Sequence, residues 1–257
     1  MTAEAVARAF DQAAATYDDT WGTNPVGLLF RRIYQERLAA RFVAGQRVLD
    51  LGCGTGEDAL FLSARGIAVG AVDASAAMIA RASEKVRRRG PGGTIDLVQG
   101  SIETLAGFEP GWDGACSNFG ALNCADTAAV GRRLALLLRR GAPVVFSVMA
   151  RSPLPAAVYR ALRGRGSRRR DGDVSVGGIP VPVRYPRLAD LCDSLGAAFR
   201  WERAAALGVC VPDPGQYRWV EAHPQAFGLL AMAERVVRTW PVLRTWGDHL
   251  VIEGVRT

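Results

Sequence analysis

Short apolar or β-branched runs alternate with longer stretches of helical period along the chain. That alternation predicts an α/β fold on a mostly parallel sheet. Residues 3–16 and 26–43 read as two helices joined by a turn at Trp21 to Pro25. Arg47 to Leu51 reads as a first strand ending at glycines, and Glu57 to Arg65 as a helix closed by Gly66. Further strands are predicted at Ala68 to Asp73, Ile95 to Gln99, Asp113 to Ser117 and Pro143 to Met149. Helices are predicted at Ala76 to Arg89 and Ala128 to Arg139, and right-handed crossovers make the whole a doubly wound half-sheet.

The pattern then breaks. Residues 151–186 are rich in proline and glycine and carry the arginine run Arg163 to Arg170. Inside them, Asp173 to Tyr185 alternates like a hairpin around Gly177 and Gly178. A helix at Leu188 to Leu195 and strands near Phe199 to Val211 and His249 to Val255 complete a seven-stranded sheet. Residues 214–245 are aromatic-rich and partly helical. We therefore expect one domain. Residues 1–43 form a helical cover, 44–150 the core, and 188–213 with 246–257 the last core strands. Residues 151–187 and 214–245 are insertions that join the cover over one edge of the sheet.

With 49% hydrophobic and 22% charged residues in a chain of 257, the composition suits a packed core and excludes a disordered or collagen-like chain. No apolar run reaches the roughly 20 residues that span a bilayer. No basic start, apolar run and small-residue cleavage site opens the sequence, so a cytoplasmic protein is expected. Cys53, Cys116, Cys124, Cys192 and Cys210 lack CxxC spacing, which argues against a disulfide framework and against a zinc site. The net charge of +7 comes from arginine, Lys85 being the only lysine; it permits an anionic partner without requiring one.

The sharpest chemical signal is Val48-Leu-Asp-Leu-Gly-Cys-Gly-Thr-Gly56, a strand running into three glycines and then a helix. Gly52, Gly54 and Gly56 let the backbone turn tightly against a ligand. A dinucleotide fingerprint needs another glycine at position 57, where Glu57 stands, so that site is excluded. Asp50 disfavours a pyrophosphate and suits an ammonium or sulfonium group. Asp73, 17 residues after Gly56 at the end of the second strand, can accept hydrogen bonds from both ribose hydroxyls.

On these residues the chain resembles the class I S-adenosylmethionine-dependent methyltransferases, particularly the quinone-biosynthesis branch, from Phe10 to Met149. The resemblance implies S-adenosylmethionine as cofactor and a Rossmann-like methyltransferase fold. It implies that Gly52, Cys53, Gly54 and Gly56 wrap the methionine part while Asp73, with Ala74 beside it, binds the ribose. The family's Gly-Asp-apolar segment after the third strand is Gly100-Ser101-Ile102 here. Ser101 is then a weaker partner for the adenine amine, and Ile102 and Met78 are candidates to cover the ring. Asn118 and Phe119 fall where cofactor and substrate meet. Phe10 with Tyr17-Asp18 resembles the family's N-terminal element, whose tyrosine folds over the methionine end.

Methyl transfer needs alignment above all, and a general base only for a protonated nucleophile. Of the two histidines, His223 is the better base candidate, with Glu221 and Tyr185 as outsiders, while His249 reads as structural. Trp21, Phe119, Tyr159, Tyr217 and Trp219 could line a pocket for a flat or apolar substrate, and Arg31 and Arg32 could reach a carboxylate. The run Arg163 to Arg170 lacks interleaved aromatics, so a nucleic-acid partner is not expected. The favoured reading is methyl transfer to O, N or C of a small metabolite, an aromatic or anionic one being open. RNA- or protein-directed methylation and a cofactor-binding module without methyl transfer stay open.

Overall fold

The computed structural model describes residues 3–89, 94–151, 158 and 172–257. The arginine run, Tyr159 and the glycines around Pro91 lie outside them. The strands are β1 (Arg47–Leu51), β2 (Ala68–Asp73), β3 (Ile95–Gln99), β4 (Gly114–Ser117), β5 (Pro143–Met149), β6 (Asp173–Val176), β7 (Ile179–Pro182), β8 (Phe199–Leu207) and β9 (His249–Arg256). The helices are α1 (Ala3–Tyr17), α2 (Pro25–Arg41), α3 (Glu57–Ser63), α4 (Ala76–Arg89), α5 (Thr127–Leu137), α6 (Leu188–Leu195), α7 (Tyr217–Ala222) and α8 (Pro224–Val237).

Seven strands form one sheet, as the alternating pattern predicted, and their order is β3-β2-β1-β4-β5-β9-β8. The first five are parallel, and β9 runs antiparallel between β5 and β8. Side-chain alternation divides β1 between two cores. Leu49 and Leu51 join the cluster under α5 and α6, while Val48 joins the one under α2 and α3. Asp50 therefore points to the α2 side, buried at a strand end.

Local chemistry sets the ends of the elements. Asn24 caps α2 by accepting the N–H groups of Val26 and Gly27, with Pro25 at the first helical position. That helix stops at Arg41, two residues before the predicted end, because Phe42 turns extended and buries its ring. The helix after β1 ends at Ser63, and the chain turns through Gly66 at φ +77°. The strand predicted to reach Val211 ends at Leu207. The next three N–H groups, of Gly208, Val209 and Cys210, leave the ladder and donate to the buried carboxylate of Glu234 on α8.

The hairpin β6–β7 turns at Gly177 and Gly178, both in the left-handed region. It packs on α1 so closely that a Cβ at Gly177 would stand 2.7 Å from the Ala9 carbonyl. The edge of the sheet that the cover occupies is the one made by the strand ends. Helix α1, residues 18–22, the N-terminal half of α2, the hairpin and the Asp213–Gly215 turn sit across the carboxyl ends of the parallel strands. An open α/β sheet has its ligand crevice there.

Candidate active site

Three glycines shape the turn after β1, with φ of +68°, +53° and +83° at Gly52, Gly54 and Gly56. A Cβ on Gly52 would lie 2.3 Å from that of Ala121, whereas one on Gly54 would enter open space. Asp73 ties this turn to the next. Its Oδ2 accepts the Gly54 N–H and its Oδ1 the Ser75 N–H, each at 2.9 Å. Burial raises the carboxyl's pKa, and these two donors offset that rise only in part. From the cover, Asp11 Oδ1 accepts the Ser75 hydroxyl at 2.6 Å and the Ala77 N–H at 3.0 Å, fastening α1 to the start of α4.

A first cavity, of about 110 Å³, lies above this turn. Its lining includes Tyr17, Gly52, Gly54, Asp73, Ala74, Met78, Ser101, Ile102, Asn118 and Phe119. The structure thus gathers ten of the sequence-predicted positions around one space. Asp50 and Cys53 face a smaller adjoining recess, shared with Tyr17, Gly52, Gly54, Asn118 and Phe119. Gly56 lines neither and shapes the turn from behind, where its Cβ would meet Ala82 at 3.1 Å.

Asp50 is 2% exposed. Cys116 Sγ donates to its Oδ1 at 3.7 Å, and its Oδ2 is buried without a hydrogen-bond partner. Burial first, then the charge of Asp58, pushes this carboxyl up to about 8. Asp58 itself is compensated, receiving Gln35 and Asn118 at 2.9 Å and facing Arg31 at 3.6 Å. Burial also pushes the Tyr17 hydroxyl up to about 12, against the lowering effect of Arg31. Tyr17 stays a neutral phenol at physiological pH.

Sequence reasoning missed a carboxylate at the far end of the first cavity. Ser101 donates its hydroxyl to Glu103 Oε2, and Glu103 lines the cavity beside Ser101 and Ile102. The acidic group expected at position 101 is thus supplied from two residues further on.

A second cavity of about 580 Å³ adjoins the first and shares Phe10, Tyr17 and Phe119 with it. It is lined by Trp21, Phe30, Arg31, Met149, the hairpin, Asp213–Gly215, Asp248 and His249. Phe119 forms the partition in a left-handed conformation (φ +49°) that a bulky residue rarely adopts, and its N–H is held by Asn118 Oδ1 at 2.9 Å.

The catalytic candidates from sequence fall elsewhere. His223 and Glu221 are exposed and face none of these cavities. Helix α7 buries Val220, which leaves Glu221 outward, and His223 ends the helix stacked on Trp219 at 4.9 Å. Tyr185 packs against the Ala9, Val181 and Val183 cluster, away from all three spaces. Trp21 and Phe119 line the second cavity, Trp21 with part of its ring exposed, whereas Tyr217 and Trp219 line none of the three spaces. Arg31 faces in, and Arg32 lies outside against Glu36. His249, read as structural, faces the second cavity instead.

Comparison with known proteins agrees with this geometry. A family model described as a methyltransferase domain matches residues 48–141. The 2-phytyl-1,4-naphtoquinone methyltransferase of Synechococcus elongatus is 32% identical over 162 residues, 60% of this chain and 68% of that protein. The demethylmenaquinone methyltransferase of Beutenbergia cavernae is 32% identical over 161 residues, 62% of this chain and 63% of its own. Among solved structures, the cyclase SpnF superposes with a TM-score of 0.69 at 16% identity, over 99% of this chain and 96% of that one, a likeness of fold alone.

Proposed function

The chain belongs to the class I S-adenosylmethionine-dependent methyltransferases, and from that premise we propose that the first cavity and its recess hold the cofactor while the second holds the methyl acceptor. S-adenosylmethionine is the cofactor, and a small molecule receives its methyl group.

The residues present fit such a cofactor. The open space above Gly54 is a cradle that a side chain would fill. The orphaned Oδ2 of Asp50 is a buried acceptor facing the recess, suited to a cationic group. In this reading Asp73 takes the ribose hydroxyls on lone pairs its two backbone donors leave over. Met78 and Ile102 enclose the adenine, and Ser101 with Glu103 offers it polar contacts. Gly52, Cys53 and Gly54 follow the methionine part under Tyr17, and Asn118 and Phe119 mark the meeting point with the acceptor.

The bound cofactor supplies an electrophilic methyl group on a sulfonium, whose positive charge is lost during transfer. The protein's work is alignment and exclusion of water, and proximity of this kind is worth up to about 7–11 kcal/mol. The observation that carries the reading is the shared wall of Phe10, Tyr17 and Phe119 between the two cavities. A ligand in each would meet there.

The second cavity falls in the range of about 300–1,000 Å³ typical of small-molecule sites. Its aromatic lining favours a flat, largely apolar acceptor, and Arg31 favours one carrying partial or full negative charge. A naphthoquinone ring of the kind named for one of these relatives is flat and largely apolar, and its oxygens carry partial negative charge. Among the described residues the cavity's lining carries a single arginine and no track of basic side chains for a phosphate backbone, so we favour a metabolite acceptor. Among the described residues no helix is long and apolar enough to cross a membrane, and we place the enzyme in the cytoplasm.

Calorimetry with S-adenosylmethionine and S-adenosylhomocysteine tests the assignment, beside Asp73→Ala and with NADH as control. Micromolar binding that disappears in the variant is expected. Binding that survives it would remove the ribose role of Asp73, and no binding by the wild type would overturn the cofactor site.

A further inference from the structure

We propose that a fourth cavity, on the α2 face of the sheet between β8, β9 and the end of α8, binds the phosphate group of a small, largely apolar phosphate ester. The site is separate from the cofactor and acceptor spaces and does not rest on their assignment.

Strand pairing and alternation build it. Arg203 and Ala205 of β8 stand opposite Glu253 and Val251 of β9, and these residues meet α2 across a space of about 350 Å³. Ile33, Ala205, Leu207 and Val251 give that space an apolar lining, to which Ala205 contributes only a methyl group.

Arginines converge on the cavity from four places. Arg37 comes from α2, Arg203 from β8, Arg238 from just past the end of α8 and Arg244 from the turns that follow. Two carboxylates, Glu202 and Glu253, line it as well, and both are taken. Arg37 donates to Glu253 Oε1 from Nε at 2.6 Å, with Nη2 at 2.5 Å, and Glu253 Oε2 lies 3.7 Å from Arg41 Nε. Arg41 holds Glu202 Oε2 at 2.7 Å, and Arg200 holds its Oε1 at 2.9 Å. Among the described residues, Arg203, Arg238 and Arg244 are left with no ion pair and no side-chain hydrogen bond.

Arg238 is the most demanding of the three. Its carbonyl accepts the Ala206 N–H at 2.9 Å, which fixes its backbone to β8, and its Nε is buried without an acceptor. Burial lowers the pKa of this guanidinium; Glu36 offsets part of the fall, and Arg37 adds to it. An anion in the cavity supplies the missing acceptor and the missing counter-charge together.

The arrangement selects a phosphate over a carboxylate. A guanidinium fork matches the two coplanar oxygens of a carboxylate, so one arginine satisfies it. A phosphate monoester presents its oxygens in three directions, which suits arginines arriving from a strand, a helix end and a loop. The apolar lining then suits the alcohol part of the ester.

Calorimetry with 1-naphthyl phosphate tests the site, on protein saturated with S-adenosylhomocysteine and with 1-naphthol as the uncharged control. We expect binding of the phosphate to weaken at least about tenfold in Arg238→Gln and in Arg244→Gln. Arg244 is exposed and has no polar contacts of its own, so its variant keeps the fold. Arg132→Gln, an exposed position outside the cavity, should leave binding unchanged, and 1-naphthol should respond to none of these changes. Equal weakening in Arg132→Gln would reduce the effect to net charge and overturn the proposal. Weakening in Arg31→Gln but not in Arg238→Gln would put the phosphate in the second cavity, and no binding by the wild type would remove the site. Vesicles of phosphatidylglycerol supply the lipid alternative. Binding to them that depends on Arg238, with none of 1-naphthyl phosphate, would assign these arginines to a membrane surface and overturn the proposal too.

Discussion

Asp73 holds Gly54 and Ser75 at once, one carboxylate oxygen to each backbone N–H. The turns after β1 and β2 are thereby locked to one another before any ligand arrives. An amide at this position offers one acceptor where two are needed and turns an N–H donor toward a backbone donor. Asp73→Asn is expected to lose about 1–3 kcal/mol in urea unfolding and to weaken S-adenosylhomocysteine binding in calorimetry.

Gly52 and Gly54 share a backbone conformation and differ in what surrounds them. Gly52→Ala must push Ala121 away and also adopt a left-handed residue. We expect a stability loss of about 1–3 kcal/mol from overpacking, with further strain. Gly54→Ala meets nothing, so its stability cost is the left-handed strain alone, about 1–2 kcal/mol. Its methyl group enters the cofactor space, and binding should fall at least tenfold. Thermal melts and calorimetry on both variants separate the two effects.

Asp50 makes stability and binding depend on pH. Its folded pKa of about 8 lies above the ordinary 3.8, so the folded state keeps a proton that the unfolded chain releases. Its contribution to stability is complete below about pH 4 and falls by about 1.4 kcal/mol per pH unit up to about pH 8. Asp50→Asn removes that slope. The wild type should therefore lose ground to the variant across this window in denaturant unfolding. A cationic ligand group at the orphaned Oδ2 favours the carboxylate. Cofactor binding near pH 7 should then release about one proton, read from calorimetry in buffers of different ionisation heat.

The succession of strands and helices and the cofactor turn were legible because both rest on local patterns: apolar runs, helical periods, and glycines at fixed offsets after a strand. What depends on three-dimensional return was not. His249 looked structural because a histidine opening a strand reveals nothing about which end of the sheet that strand starts from. Its antiparallel insertion beside β5 decides that. His223 misled for the complementary reason, since the aromatic residues near it pack on the outside of α7. Glu103 had a readable signal, a carboxylate three residues past the glycine of the adenine segment.

Glu234 is wholly buried and accepts three consecutive backbone N–H groups at 2.8–2.9 Å. These end β8 and begin the loop that leads to the Asp213–Gly215 wall. Burial raises its pKa, and the three donors lower it. Glu234→Gln retains one acceptor oxygen, whereas Glu234→Ala leaves three donors unpaired. We expect losses of about 1–3 kcal/mol for the first and several for the second, measured by urea unfolding.

Lys85 Nζ is shared between Asp18 at 2.7 Å, Glu57 at 2.8 Å and Thr55 at 2.9 Å. It bridges residues 18–22 of the cover to the turn over which Tyr17 lies. As the only lysine of the chain, it also makes that bridge chemically addressable. An acylating reagent finds one side-chain amine, and this amine can react only while its three oxygen partners have let it go. The speed of single-site labelling is thus a clock for the opening of the cover, and saturating S-adenosylhomocysteine should slow it.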